Sequence, residues 1–189
     1  MHKGRLEAFS DGVIAIIITI MVLELKIPAG HDLHALVETG PRFCAYILSF
    51  IMAGIYWNNH HHMLQADHVS GGVLWANLHL LFWLSLLPFG TEWLGETHSA
   101  PLPTAFYGAL LLLAALAYYI LQFTIIRRQG ENSRLRAAIG RDFKGKLSPV
   151  CYAAAIPLAF VSPIVSDAIY VFVALIWLVP DPRIESKIH

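Results

Sequence analysis

Three long stretches without a charged side chain constrain the fold of this chain more than any other feature. They cover 71–90, 98–126 and 147–166, and each contains at least 20 residues. A helix needs about 20 mostly apolar residues to cross the hydrocarbon core of a bilayer. A helical bundle in water would show polar faces at helical period, which these stretches largely lack. The sequence therefore predicts an integral membrane protein of the all-α class.

Six transmembrane helices, forming one unit over residues 1–189, fit this pattern. Their predicted ranges are 6–25, 43–60, 71–90, 102–126, 148–165 and 167–180. Pro101 and Pro149 mark the starts of the fourth and fifth helices, because proline is suited to the first turn of a helix. Asp167 is placed to cap the start of the sixth.

The distribution of basic residues predicts the orientation in the membrane. With six spans both termini lie on one side, and that side holds all but two of the 13 Lys and Arg residues. The two exceptions are Lys26 and Arg42. Because basic segments are retained in the cytoplasm, we expect a protein of the cell (inner) membrane with both termini cytoplasmic. The formal net charge of zero gives no reason to expect a nucleic-acid partner.

The first helix carries a carboxylate where a membrane span usually has none. Asp11 lies within the apolar run that continues to Leu23. On insertion scales a charged group in the membrane costs about 2.5–3.5 kcal/mol, so polar partners must offset it. On a helical wheel a mainly aliphatic stripe falls on another side of the helix. The stripe consists of Gly12, Ile16, Thr19, Ile20 and Leu23.

Polar partners for Asp11 are available on the second and third helices. The second helix ends in the sequence YWNNHHH at 56–62, and the third contains Asn77 and His79. Hydrogen bonds between membrane helices contribute about 0.6–2 kcal/mol each, so several together offset one carboxylate. Arg5 lies near the same membrane face and is expected to compensate the charge of Asp11.

The RxxxFSD motif of residues 5–11 is distinctive. With isoleucine five residues and threonine eight residues after the aspartate, it resembles the potassium channels of the endolysosomal transmembrane protein 175 family. More specifically, it is similar to the prokaryotic members, which have a single six-helix unit. The resemblance extends through the third helix, while the last three helices match only in number and hydrophobicity. The further matching residues are Trp57, His60, Asn77, Leu87 and Pro88.

This resemblance implies a homotetrameric, potassium-preferring channel whose pore is lined by four copies of the first helix. Ile16, Ile20 and Leu23 would form a hydrophobic constriction, with Thr19 beside it. Potassium is then the permeant ion, and no cofactor is implied. The resemblance also implies a structural polar cluster joining the first three helices. Its members are Arg5, Phe9, Ser10, Asp11, Trp57, His60 and Asn77.

Other interpretations remain open at this point. Packing against lipid is the ordinary role of an aliphatic stripe. The run His60–His62 suggests a metal site, and with it a carrier or a membrane enzyme at the end of the second helix. Successive histidines point about 100° apart and no acidic cluster accompanies them, which weighs against a metal site. No nucleophile constellation or phosphate loop favours an enzyme. Proton conduction alongside potassium is a further hypothesis, since family members pass protons.

Overall fold

The computed structural model describes residues 3–64, 69–130, 135 and 143–178. Throughout these ranges the regular structure is helical, as predicted for an all-α protein. The helices are α1 Lys3–Leu23, α2 Leu33–Glu38, α3 Gly40–Met63, α4 Gly71–Ser85, α5 Leu87–Glu96, α6 Pro101–Gln129, α7 Phe143–Leu158 and α8 Pro163–Leu178.

Three segments within the described ranges are long and apolar enough to cross a membrane. They are α1, the combined α4–α5 segment Gly71–Glu96, and α6. The last helix, α8, is apolar but has only 16 residues. Length and composition therefore single out three spans, and the count of six stays a prediction.

The predicted helix 71–90 is divided into α4 and α5. The break falls at Leu86, just before Pro88 in the first turn of α5. Proline has no N–H, and its ring clashes with the carbonyl group four residues earlier, so the helix restarts at this point. After the restart, α5 continues to Glu96, six residues beyond the predicted end.

The last two helices begin earlier than predicted. α7 begins at Phe143 and contains Pro149, and α8 begins at Pro163. Asp167 thus lies inside α8, and the prediction that it caps this helix is wrong. Pro163 starts the helix instead, because its fixed φ and missing N–H suit the first turn. The predicted end of the sixth helix, residue 180, lies outside the described residues.

A short helix between the first two predicted spans was not expected from the sequence. Asp32 caps α2, its carboxylate accepting a hydrogen bond from the backbone N–H of Ala35 at 3.0 Å. Six residues are too few to show a helical period, so only the cap could have indicated this element. Because α2 directly precedes α3, it connects α1 to α3 across one end of the bundle.

The longest helix, α6, lies at the centre of the packing and contacts α4, α5, α7 and α8. Its buried face includes the small residues Gly108, Ala114 and Ala117. Small residues let membrane helices approach closely, which strengthens the van der Waals packing that holds them together. Tyr170 of α8 lies against Gly108 and donates its hydroxyl hydrogen to the carbonyl group of Thr104 at 3.0 Å.

The first helix lies at the edge of this bundle. One face of α1, including Leu6, Ile14, Ile17 and Met21, is buried against α3, α4 and α5. The opposite face is exposed over its whole length. α1 is therefore held on one side only, and its other side is available to a surface outside the subunit.

We expect Gly108→Ala to lower the thermal stability of the protein. A Cβ at this position would overlap the hydroxyl group of Tyr170 and crowd Ile156. Overpacking of a close-packed core typically costs about 1–3 kcal/mol. Gly71→Ala is the matched control, since Gly71 is exposed and has nothing within 4 Å of the added Cβ. Equal melting temperatures for the two variants in detergent would contradict the close approach of α6 and α8.

Candidate functional site

Three buried polar side chains form a hydrogen-bonded chain between α1, α3 and α4. Asn77 Nδ2 donates to Ser10 Oγ at 2.9 Å, and His60 Nε2 lies 2.6 Å from Asn77 Oδ1. An amide oxygen only accepts, so His60 Nε2 carries the proton and donates it. Ser10 in turn donates to the carbonyl oxygen of Leu6 at 2.9 Å. The three side chains are at most 1% exposed, so the polar chain is shielded from lipid and water.

This polar chain fixes how α1 is rotated about its own axis. Ser10 must face α4 to reach Asn77, and a rotation of α1 would leave the buried Nδ2 group of Asn77 without this acceptor. Leaving a buried donor or acceptor unpaired costs about 1–3 kcal/mol. The hydrogen bond between Asn77 and Ser10 therefore favours the observed orientation of α1.

Asp11 makes a separate contact at the edge of α1 and α3. Its Oδ1 atom accepts a hydrogen bond from Trp57 Nε1 at 3.0 Å. Asp11 is half-buried and Trp57 is exposed, so this bond lies at the surface of the single subunit. Asp11 and Trp57 thus add a second link between α1 and α3, on a different side of α1 from Ser10.

Arg5 and Phe9 lie apart from the other residues of the predicted cluster. Both side chains are exposed, and Arg5 makes no hydrogen bond or ion pair with a described residue. Six residues separate Arg5 from Asp11, which places the two on different sides of α1. The expected charge compensation between Arg5 and Asp11 does not occur within the described part of the subunit.

The aliphatic stripe of α1 is exposed in the single subunit. Ile16 is 58% exposed, Ile20 39% and Leu23 79%. Thr19 lies in the same stripe and donates its hydroxyl hydrogen to the carbonyl group of Ile16 at 2.9 Å. No other element of the described chain covers this face, and the polar chain through Ser10 holds it pointing away from the bundle.

The histidine run at the end of α3 does not form a shared site. His60 is buried and bonded to Asn77, whereas His61 is exposed. His62 contacts His61 through its ring and makes a further interaction of its own. Among the described residues, no three potential metal ligands lie close enough together to hold an ion.

A group of charged residues at the other end of α1 was not foreseen from the sequence. Glu96, the last residue of α5, accepts from Lys26 Nζ at 3.1 Å and from Arg42 Nε at 3.0 Å. Lys26 and Arg42 are the two basic residues outside the positive-inside pattern. The predicted topology places these two bases opposite all the others, and this was the only feature of the sequence that suggested an acidic partner for them.

A second polar group, also not foreseen, lies inside the bundle. Ser49 Oγ is 2.8 Å from Tyr107 Oη and 2.7 Å from Thr91 Oγ1. These buried hydroxyl groups connect α3, α5 and α6. Hydroxyl-bearing residues are common in apolar helices, so their spacing alone gave no indication of this contact.

The part of the chain that contains the polar chain and the aliphatic stripe is also the part that matches a known protein family. The profile of the family described as "Endosomal/lysosomal potassium channel TMEM175" matches residues 5–88. A protein from Chryseobacterium sp. (strain P1-3) named "Potassium channel" is 57% identical over 189 residues, covering 100% of this chain and 98% of that protein. The chain belongs to the TMEM175 family. The resemblance predicted from the RxxxFSD motif is thereby confirmed, and the chain is a multi-pass membrane protein of an ion-channel family.

Two further TMEM175 relatives place the chain within the family. The crystal structure of a lysosomal potassium-selective channel TMEM175 homolog from Chamaesiphon minutus is similar with a TM-score of 0.82 and 28% identity, covering 93% of this chain and 96% of that one. The bovine "Endosomal/lysosomal proton channel TMEM175" is 29% identical over 157 residues, which cover 74% of this chain but 33% of the bovine protein. The present chain is thus comparable in length to the bacterial relatives and much shorter than the bovine one.

We expect Ser10→Ala to lower the melting temperature more than Ser85→Ala does. Both hydroxyl groups donate to their own helix backbone, at 2.9 and 2.7 Å, but only Ser10 also accepts from Asn77. Its loss leaves a buried amide hydrogen of Asn77 unpaired, at a cost of about 1–3 kcal/mol. Thermal unfolding of both variants in the same detergent measures the difference. A larger loss for the exposed Ser85 would show that the polar chain does not stabilise the helices.

Proposed function

We propose that this protein is a potassium-selective channel and that four subunits surround one pore lined by α1. The observation that carries the proposal is the exposed stripe of Ile16, Ile20 and Leu23, held outward by the buried polar chain on the opposite side of α1. The protein from Chryseobacterium is named a potassium channel, and the structure from Chamaesiphon minutus is described as potassium-selective. These relatives support potassium as the permeant ion.

The proposed topology has six spans, formed by α1, α3, α4–α5, α6, α7 and α8. Both termini and the basic segment 127–146 then lie in the cytoplasm of the inner membrane, in keeping with the positive-inside rule. Lys26 and Arg42 lie on the outer side in this arrangement. Their ion pairs with Glu96 supply nearby negative charge, which supports leaving these two bases outside.

The proposed constriction selects without a carbonyl filter, since the sequence has no TVGYG-type segment. Three rings of four aliphatic side chains each, from Ile16, Ile20 and Leu23, form a narrow apolar passage that closes by dewetting. Selectivity then depends on pore size and on the free energy of removing water from the ion. Thr19 hydroxyl oxygens lie in the same stripe and offer polar contacts to a partly dehydrated cation. Glu24, exposed directly after α1, raises the local cation concentration at the outer mouth.

Proton permeation is the second candidate function. The bovine relative is named a proton channel, and its similarity covers 74% of the present chain. A narrow apolar passage that holds a file of water molecules when open can carry protons as well as potassium. Proton flux therefore belongs in the same experiment.

The function is tested by ion flux into liposomes that contain the purified protein. We expect potassium flux to exceed sodium flux and to follow the electrochemical gradient without saturation. A pH-sensitive dye inside the same liposomes reports proton flux, and protein-free liposomes are the control. Saturable flux that depends on a second ion would indicate a carrier. The absence of potassium flux from verified tetramers under imposed voltage and pH gradients would contradict the channel.

We expect Ile16→Asn to wet the constriction and to bring the potassium and sodium fluxes closer together. Asparagine is smaller than isoleucine and adds polar atoms where the proposed passage is apolar. Ile164→Asn is the matched control, because Ile164 is 79% exposed at the start of α8, away from α1. Unchanged selectivity in Ile16→Asn, with potassium flux retained, would remove Ile16 from the constriction.

A further inference from the structure

Asn58 and His79 each carry a polar group that has no hydrogen-bond partner among the described residues. Asn58 on α3 is exposed and makes no hydrogen bond to a described residue. His79 on α4 is also exposed, and its Nε2 atom accepts from Trp83 Nε1 at 2.9 Å. Since tryptophan only donates, the ring proton of His79 lies on Nδ1. This Nδ1–H finds no acceptor in the part of the chain that the structure describes.

Asn58 and His79 lie at the same level along the helix axes of the bundle, here called their height. The direct hydrogen bond between His60 and Asn77 fixes the relative height of α3 and α4. α3 runs opposite to α4–α5, because Ser49 pairs with Thr91 and the later His60 pairs with the earlier Asn77. Asn58 and His79 are each two residues beyond the His60–Asn77 bond, toward the outer side of the proposed topology. At a rise of 1.5 Å per residue, both therefore lie about 3 Å outward of the bond.

The two side chains also point in opposite directions. Two residues along a helix turn the side chain by about 200°, so Asn58 points away from His60, and His79 points away from Asn77. His60 and Asn77 face each other, so Asn58 and His79 project from opposite flanks of the subunit. An unpaired polar group that faces hydrocarbon is unfavourable, so a partner in a neighbouring subunit would stabilise each side chain.

We infer that the α3 flank of one subunit packs against the α4 flank of the next, with His79 Nδ1–H donating to the amide oxygen of Asn58 of the partner subunit. The inference rests on the tetramer of the proposed function. In a closed ring each subunit presents both flanks, so one donor–acceptor pair repeats at every interface. All four histidines and all four asparagines are then paired.

The shapes of the two flanks support the same arrangement. Gly54 lies on the α3 flank between the exposed rings of Phe50 and Trp57, and a Cβ at this glycine would have nothing within 4 Å. On the α4 flank Phe82 is 54% exposed. Counted from the His60–Asn77 bond, the heights of Gly54 and Phe82 differ by about 2 Å. The gap at Gly54 thus lies level with a projecting ring, and glycine is the residue that lets membrane helices approach closely.

A cysteine cross-link tests this interface. Cys44 and Cys151 are first replaced by serine, and Gly54→Cys is combined with Phe82→Cys in the full chain. Oxidation in liposomes is expected to give covalent dimers, trimers and tetramers that a reducing agent returns to monomers. Neither single-cysteine variant should give more than dimers. The control pair is Gly54→Cys with Val150→Cys, because Val150 is also exposed, at 66%, but lies on α7 and not on the α4 flank.

The hydrogen bond itself is tested by a double-substitution cycle with Asn58→Leu and His79→Phe. Each single variant is expected to lower the temperature at which the tetramer dissociates in detergent, because it leaves the other partner unpaired. The double variant should lose no more than one single variant does. Additive losses would show that the two side chains do not contact each other and would overturn the pairing.

These outcomes are separable from those of the proposed function. The mass of the purified complex and its potassium flux are measured on the same preparation before oxidation. A conducting tetramer that gives no Gly54–Phe82 ladder would overturn the interface and leave the channel standing. A ladder without flux would support the interface and contradict the channel. A monomer would overturn both.

Discussion

A polar group inside a membrane must find its hydrogen-bond partner within protein, and this constraint sets the arrangement of the first three long helices. Ser10, Asn77 and His60 come from three different helices, and each is buried. Water cannot replace a lost partner at this depth, so the bonds act as geometric requirements and not merely as stabilising contacts. They set the rotation of α1 and the relative positions of α3 and α4, and thereby which faces of these helices point out of the subunit.

The same constraint separates the two sides of α1. On one side, apolar residues such as Ile14 and Met21 pack against the bundle beside the polar chain. On the other, Ile16, Ile20 and Leu23 remain exposed. In a membrane protein an exposed aliphatic face packs either against lipid or between subunits, and the fixed orientation of α1 suits a role between subunits. The proposed pore assigns that role to them.

In the rest of the bundle the helices associate more through close van der Waals packing than through hydrogen bonds. α6 brings Gly108 against Tyr170, and its buried alanines lie under the neighbouring helices. In a bilayer the hydrophobic effect does not drive helices together, so shape and small residues carry much of the association. At the end of the bundle where α1 finishes, Glu96 joins the segment after α1 to the start of α3, and the exposed ion pairs there contribute modestly.

The sequence by itself determined the class of the protein, because charge-free runs and the positive-inside pattern depend only on local composition. It also identified the family, since RxxxFSD is a contiguous motif. Helix ends were less predictable. Pro88 divides one predicted span and Pro163 begins the last helix. Both effects depend on the backbone turn next to each proline ring. Only the tertiary structure placed Ser10, Asn77 and His60 in one chain and left Arg5 and Phe9 outside it, because partners 17 to 67 residues apart in sequence are chosen by packing. The contact of Glu96 with Lys26 and Arg42 was decided in the same way, by which helix ends the fold brings together.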